Sequence, residues 1–215
     1  MQNFSIHSGG TTSGDVAVPL ARYRYQRFVK DLGWDLPSEH NDSERDQYDR
    51  NDTVYIIARD EDDSVLGCAR LLPTTGPYLL QEIFPDLVAS GVPLPCSPDV
   101  WEISRFAANP LSGGGPDGAS GNYAIRPLLA AVVQCALTLG ARQLVGVTYV
   151  SMERLFRRIG VHMHRAGPPQ RIDDRPVIGF WFDLDDQTQR SLGIEPIGNA
   201  FSRETERSLV QNVSP

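Results

Sequence analysis

Apolar and polar positions along the chain alternate first with a helical period, then with a strand period, and finally switch between the two. After a polar start, Val16 to Leu32 carries apolar residues at helical spacing and stops at Gly33, which predicts an N-terminal helix. Ser38 to Asp52 is polar and acidic and reads as loop. Thr53 to Arg59 (TVYIIAR) and Val65 to Leu72 (VLGCARLL) are rich in strand formers and flank the charged turn DEDDS, which predicts a hairpin. Tyr78 to Val88 reads as a short helix and Val100 to Ala107 (VWEISRFA) as a strand, and the Gly/Pro/Ser-rich NPLSGGGPDGASG that follows reads as a loop. From Tyr123 to Leu139 the spacing of Ile125, Leu128, Leu129, Val132, Val133 and Leu137 is helical. Pro127 is tolerated near its start, and Gly140 supplies the stop. Arg142 to Tyr149 predicts a strand, Ser151 an N-cap for a helix ending near Gly160, and Val177 to Leu184 (VIGFWFDL) a last strand.

Antiparallel strands followed by an alternating strand and helix run imply one α/β domain over 1–215. Its expected core is a mixed, splayed β-sheet between helices, an α-β-α sandwich of the kind found in GNAT acyltransferases. Residues 1–52 read as a helix and flap over the site, and 185–215 as a peripheral tail. A fold class assigns no reaction by itself.

Composition narrows the partners. The 215 residues are 40% hydrophobic and 22% charged, with a formal net charge of −7, which gives no global attraction to nucleic acid or to an anionic membrane. Cys68, Cys96 and Cys135 are odd in number and lack the pairwise spacing of a zinc site or a disulfide framework, so no metal centre is expected. The opening MQNFSIHSGGTTSGD shows no basic stretch followed by an apolar one, and no apolar run reaches the roughly 18 residues of a membrane span. A cytoplasmic protein without membrane insertion is the expectation.

The candidate chemistry lies in separated segments. Arg24 and Phe28 are one helical turn apart, with Trp34 just beyond. Glu44, Asp46 and Asp49 stand in ERDQYD, Arg70 in GCARLLP, Phe84 in QEIFPDL, and Glu102 with Arg105 in WEISRF. Taken singly, most have ordinary explanations as a helix face, solvated loop charges or core aromatics. Glu102 and Arg105 do not, because an unpaired charge in an apolar strand is costly to bury. They are three apart in a strand, so a regular pleat points them to opposite faces. A β-bulge near Ser104 would bring both to one cleft.

In this order and at these separations, Arg24, Phe28, Trp34, Asp46, Asp49, Arg70, Phe84, Glu102 and Arg105 resemble the acyl-homoserine-lactone synthases of the LuxI type, over roughly residues 20–185. GCARLLPTTGPYLL and VSMERLFRRIG further resemble the branch that makes octanoyl or hexanoyl signals. The resemblance implies acyl transfer from acylated acyl carrier protein to the amine of S-adenosylmethionine, then lactonisation with release of methylthioadenosine. No metal or redox cofactor is needed, and S-adenosylmethionine is a substrate. Arg24, Phe28, Trp34, Asp46, Asp49, Arg70, Phe84, Arg105 and Phe106 would bind it, Glu102, Arg105, Arg24, Asp46 and Asp49 would form the catalytic set with Glu102 as general base, and backbone N–H groups of residues 105–107 would hold the oxyanion.

Leu144, Val147, Thr148, Tyr149, Met152 and Leu155 are candidates for an acyl-chain pocket, although for most of them the core reading ranks higher. A hydroxyl near Thr148 is associated in that family with 3-oxo chains, whereas the branch resembled makes unsubstituted ones, so both alternatives at the 3-position stay open. Arg154, Arg157, Arg158 and Arg165 offer a basic surface for the acidic carrier protein. Two other classes compete. A GNAT acyltransferase using acyl-CoA should carry a Q/R-x-x-G-x-G/A loop after WEISRF, and GGGPDGASGNYAIR lacks that spacing. A non-catalytic lipid-binding protein would leave the ionic cluster unexplained.

Overall fold

The computed structural model describes residues 3–36, 38–39, 42–109 and 121–195, so the glycine-rich loop over 110–120 and the tail beyond 195 lie outside the described residues. β4 (Val54–Arg59) and β5 (Val65–Pro73) form the expected antiparallel hairpin, with Tyr55 opposite Arg70. β6 (Val100–Ala108) pairs antiparallel with β5, and β7 (Gln143–Tyr149) runs parallel to β6. A parallel pair needs a crossover, and α3 (Gly121–Thr138) supplies it. β10 (Arg175–Asp183) closes the run antiparallel to β7, and its far edge holds β8 (Met163–Arg165) and β9 (Gln170–Ile172). With β1 (Asn3–Ser8) on the opposite edge the strand order is β1-β4-β5-β6-β7-β10-β8, with β9 also on β10, while β2 (Ser38–Glu39) and β3 (Ser43–Glu44) pair with each other apart from it.

β1 (Asn3–Ser8) contributes an edge strand in the stretch read as a polar start. Its apolar residues Phe4 and Ile6 are exposed, so its pairing rests on backbone hydrogen bonds that leave no burial pattern. β8 and β9, at three residues each, are too short for alternation to register.

One face of the sheet carries α3, α4 (Val150–Ile159) and α5 (Asp186–Leu192) over a core of Ile56, Leu71, Ile103, Leu128, Val132, Phe156, Phe180 and Phe182. Leu128 and Val132 are fully buried, and burial of such side chains contributes roughly 1.5–3 kcal/mol each. The helical spacing of Ile125 to Leu137 is thereby accounted for. Two sequence readings change here. Tyr149, not Ser151, is the N-cap of α4, and Ser151 is exposed inside the helix. Residues 185–194 are no peripheral tail: Leu192 and Ile194 belong to the core, and α5 is capped by Asp185, which accepts from the Thr188 N–H.

The other face carries the N-terminal helix and α2 (Leu79–Glu82). The helix is α-helical over Gly14–Arg24 (α1) and π-helical over Tyr25–Asp31, a widening that the sequence period does not reveal. Leu20 and Phe28 pack with Tyr55, Ile57 and Cys68, while Tyr48, Leu72, Tyr78 and Leu80 form a second apolar cluster. Between these two clusters lies the polar ground on which the site is built. Among the described residues no helix is long and apolar enough to cross a membrane.

Candidate active site

Two strand features open the sheet at its centre. β6 and β7 pair only from Val100–Gln143 to Ile103–Gly146, yet β6 continues to Ala108 and β7 to Tyr149, so the strands splay beyond that point. Gly146 marks the parting. A Cβ there would stand 2.6 Å from the Ile103 carbonyl oxygen. The register of β5 and β6 also slips, from Arg70–Ser104 to Cys68–Ala107, so Arg105 and Phe106 together face Ala69. This is the expected bulge, centred one residue after Ser104, with Arg105 in the left-handed region at φ 50°. It turns the Arg105 side chain to the face that carries Arg70, Glu102 and Ser104.

On that face three arginines and three carboxylates interlock. Arg24 donates Nε–H to Glu44 Oε2 at 2.5 Å and Nη1–H to Asp49 Oδ1 at 2.7 Å. Arg70 donates Nη1–H and Nη2–H to the two oxygens of Asp46 at 2.5 and 3.0 Å, and Nε–H to Ser104 Oγ at 3.0 Å. Arg105 donates Nη2–H to Glu44 Oε1 at 2.9 Å and to Asp46 Oδ2 at 2.8 Å. Tyr55 adds its hydroxyl to Asp49 Oδ1 at 2.7 Å. Burial works to raise the pKa of Asp49, but Arg24, Arg70 and the Tyr55 hydroxyl outweigh it and hold the carboxyl well below its usual range. Glu44 and Asp46 are lowered in the same way, against burial, by the arginines beside them. All three therefore stay ionised. Arg24 Nη2 is buried and has no hydrogen-bond partner, so one strong donor remains to be used.

The aromatic wall forms as the order Arg24, Phe28, Trp34 suggested. Phe28 and Trp34 stack with centroids 4.9 Å apart, and the Arg105 guanidinium lies 5.6 and 5.9 Å from their rings. The Trp34 Nε1–H donates to the Tyr149 hydroxyl at 2.6 Å, tying the flap segment to the splayed end of β7.

Glu102 is held by backbone N–H groups rather than by Arg105. Its oxygens accept the backbone N–H groups of Leu79 and Leu80, at 2.9 and 2.7 Å, so it holds the start of α2 against β6. Burial raises its pKa to about 7, against the pull of those two N–H groups and of Arg70 and Arg105. Phe106, grouped with the S-adenosylmethionine contacts by the sequence, turns its ring to the opposite face. There it packs edge-to-face on Phe156 at 5.7 Å, because the extra residue of the bulge shifts the alternation by one from Arg105 onward. Phe84 packs half-buried against the Tyr48–Leu72–Tyr78 cluster.

The sequence model of the autoinducer synthase family matches residues 14–192, which takes in every residue of this lattice. The chain belongs to the autoinducer synthase family. Curated relatives include an acyl-homoserine-lactone synthase of Ralstonia nicotianae, 57% identical over 195 residues (90% of this chain, 94% of the relative). One of Pseudomonas aeruginosa is 40% identical over 172 residues, covering 79% and 80%. Among solved structures, TofI in a ternary complex with an inhibitor and MTA superposes at a TM-score of 0.80 with 52% identity, covering 90% of this chain and 98% of that one. The chain is thus an acyl-homoserine-lactone synthase of the LuxI type, an acyltransferase. An acyl-CoA N-acyltransferase of Pseudomonas aeruginosa, at 16% identity and a TM-score of 0.56, shares the GNAT-like fold alone.

Several polar residues of this synthase site carry weak sequence signals. Glu44, which bridges Arg24 and Arg105, has a side chain with no exposure, although it stands in a stretch that looks like solvated loop. The Tyr55 hydroxyl and Ser104 sit in otherwise apolar strands, and an inward polar atom there was the available clue. The six acyl-pocket candidates divide. Leu144 is fully buried in the main core and Met152 packs against that core, while Val147 and Tyr149 join the cluster on the site face. Thr148 pairs across to Ile178, and Leu155 is half-buried. The four arginines of the basic surface are all exposed, but Arg165 and Arg157 bind the buried Glu153, at 2.7 and 3.1 Å, whereas Arg154 and Arg158 make no ion pair among the described residues.

Proposed function

We propose that this synthase takes its acyl chain, octanoyl by preference, from acyl carrier protein and joins it to the amine of S-adenosylmethionine. The observation that carries the reading is the buried arginine–carboxylate lattice beside the splayed β6–β7 edge. Fixed cations and a stacked aromatic pair suit the methionyl and adenosyl parts of S-adenosylmethionine, and an open strand edge suits a thioester. The unpartnered Arg24 Nη2 would take the substrate carboxylate. Phe28 and Trp34 would wall the adenosyl group and exclude water. Asp46 and Asp49 keep Arg24, Arg70 and Arg105 in place.

The substrate amine attacks the thioester carbonyl, and the resulting oxyanion is met by backbone N–H groups of residues 105–107. Collapse of the intermediate expels the carrier thiolate. The amine proton passes through water to Glu102, whose pKa near 7 and remaining lone pairs suit a base. The methionyl carboxylate then attacks the γ carbon and breaks the bond to sulfur, releasing methylthioadenosine. The chemistry uses no metal and no redox cofactor. A cytoplasmic site of action follows from these substrates.

A second reading, an acyl-CoA donor, has specific support. A CoA-dependent acyl-homoserine lactone synthase, BjaI, solved with SAM and isopentyl-CoA, superposes at a TM-score of 0.77 and 27% identity, covering 92% of each chain. Octanoyl, hexanoyl and 3-oxo-octanoyl groups, each on carrier protein and on CoA, offered to the purified enzyme with S-adenosylmethionine and resolved by mass spectrometry, decide between them. Octanoyl carrier protein is expected to give the highest kcat/KM. Faster turnover of a CoA thioester would replace the donor, and an unchanged lattice variant such as Asp49→Ala would remove the site.

A further inference from the structure

The edge of the sheet farthest from β1 brings together four side chains that the acyl-transfer reaction does not use. β8 and the turn before it place His162 and His164 on one side, and the end of β10 and its exit place Asp183 and Asp185 beside them. Donor atoms of His162, His164 and Asp183 all lie within 4.8 Å of one another. His164 Nε2 is 3.4 Å and His162 Nδ1 is 3.9 Å from Asp183 Oδ2, and Asp185 Oδ2 is 2.7 Å from His162 Nδ1. Ligand atoms about 2.0–2.1 Å from a tetrahedral zinc ion stand roughly 3.3 Å apart, close to the 3.4 Å that separates His164 from Asp183, while the 2.7 Å contact of Asp185 is a hydrogen bond that orients His162.

We propose that His162, His164 and Asp183, with Asp185 orienting His162 and solvent completing the coordination, form a binding site for one divalent transition-metal ion of the zinc type at the β8–β10 edge. The surroundings hold these ligands as a built site requires. Asp183 Oδ1 accepts from Gln143 Nε2 at 2.7 Å, and Asp185 Oδ1 accepts from the Thr188 N–H at 2.9 Å, so each carboxylate presents its second oxygen to the histidines. The His162 backbone N–H donates to Thr188 Oγ1 at 3.0 Å and its carbonyl accepts from the Asp183 N–H at 3.1 Å, which fixes the histidines and aspartates relative to each other. The His164 ring stacks on Trp181 with centroids 5.9 Å apart. Two imidazoles and one carboxylate are the donor set of zinc, nickel or copper(II) rather than of calcium or magnesium. The side chains are between 29% and 42% exposed, so the ion enters without opening the fold. Arg157 and Arg165 line the same groove, but both are drawn to Glu153, which leaves the two aspartates to balance the dication.

The test uses the full chain without a polyhistidine tag, stripped with chelator and titrated with Zn2+ by calorimetry and with Co2+ by absorption. One equivalent of Zn2+ should bind with a micromolar Kd, and Co2+ should give the intense visible bands of a four-coordinate site without a thiolate charge-transfer band. His164→Gln should weaken binding by about 100-fold and Gln143→Ala by about tenfold. Circular dichroism of the His164→Gln variant, expected to match the parent, confirms that the fold is kept. No stoichiometric binding, a thiolate band pointing to Cys96, or equal affinity in the His164→Gln variant would overturn the site.

Discussion

At the scale of single residues the site is a matter of charge balance. Three guanidiniums face three carboxylates in a region from which water is largely removed, and each member is tolerated because the others are present. Glu44→Gln keeps the shape and removes one negative charge, leaving Arg24 and Arg105 short of a partner. Loss of one member of a buried pair costs about 3–5 kcal/mol, and denaturant unfolding should show a loss of that size together with loss of lactone formation. Glu102 behaves in the opposite sense. Its folded pKa of about 7 lies above the ordinary 4.5, so the folded state keeps a proton that the unfolded chain releases. The stability it confers is full below about pH 4.5 and is lost as pH rises to 7, by about 3 kcal/mol for the whole shift. The stability difference between the parent and Glu102→Gln, measured in urea at pH 5 and pH 8, should therefore move against the parent by about that amount. Turnover should run the other way, rising with pH through 7 in the parent as the base ionises. Glu102→Gln should be slower by about two to four orders of magnitude and show no such limb.

At the scale of elements, two local irregularities create a site from an ordinary sheet: the bulge at Arg105 and the parting of β6 from β7 at Gly146. Gly146→Ala tests the second. Its Cβ would press on the Ile103 carbonyl at 2.6 Å and on the Phe180 ring at 3.1 Å, so the strands must shift. A cost of about 1–3 kcal/mol is expected by unfolding, with kcat affected more than the KM for S-adenosylmethionine, whose proposed contacts lie on the other side of β6. These same elements show what a sequence reveals. VWEISRFA announced a strand with two buried charges, and the need to bring Glu102 and Arg105 to one cleft pointed to a bulge, displaced by one residue from where it occurs. The hairpin and α3 were legible because long apolar periods must be buried. β1, β8 and β9 were not, since backbone pairing at an edge imposes no pattern on side chains. The π-helical turn and the role of Glu44 depend on contacts between distant segments, which periodicity does not encode.

At the scale of the whole molecule, an acidic chain must meet an acidic carrier protein, if that is the donor. The formal charge of −7 opposes the encounter, so a local basic surface has to overcome it. α4 provides one, because its amphipathic pattern turns Phe156 inward and Arg154, Arg157 and Arg158 outward. The structure grades these cations. Arg157 and Arg165 share the buried Glu153, so their charge is partly spent within the protein. Arg154 and Arg158, four residues apart on one helical face, are exposed and make no ion pair among the described residues, and they carry the field available to a partner. Reversing both to Glu should raise the KM for acyl carrier protein by tenfold or more at low salt, on the order of the steering effects that charge patches exert. Added salt should narrow the gap between variant and parent, because at ~0.15 M the screening length falls to about 8 Å. The KM for S-adenosylmethionine, whose proposed site lies across the sheet from α4, should stay within twofold. Steady-state kinetics with each substrate varied in turn, at two ionic strengths, measures all three quantities. A rise in both KM values, or in neither, would show that the carrier protein docks elsewhere.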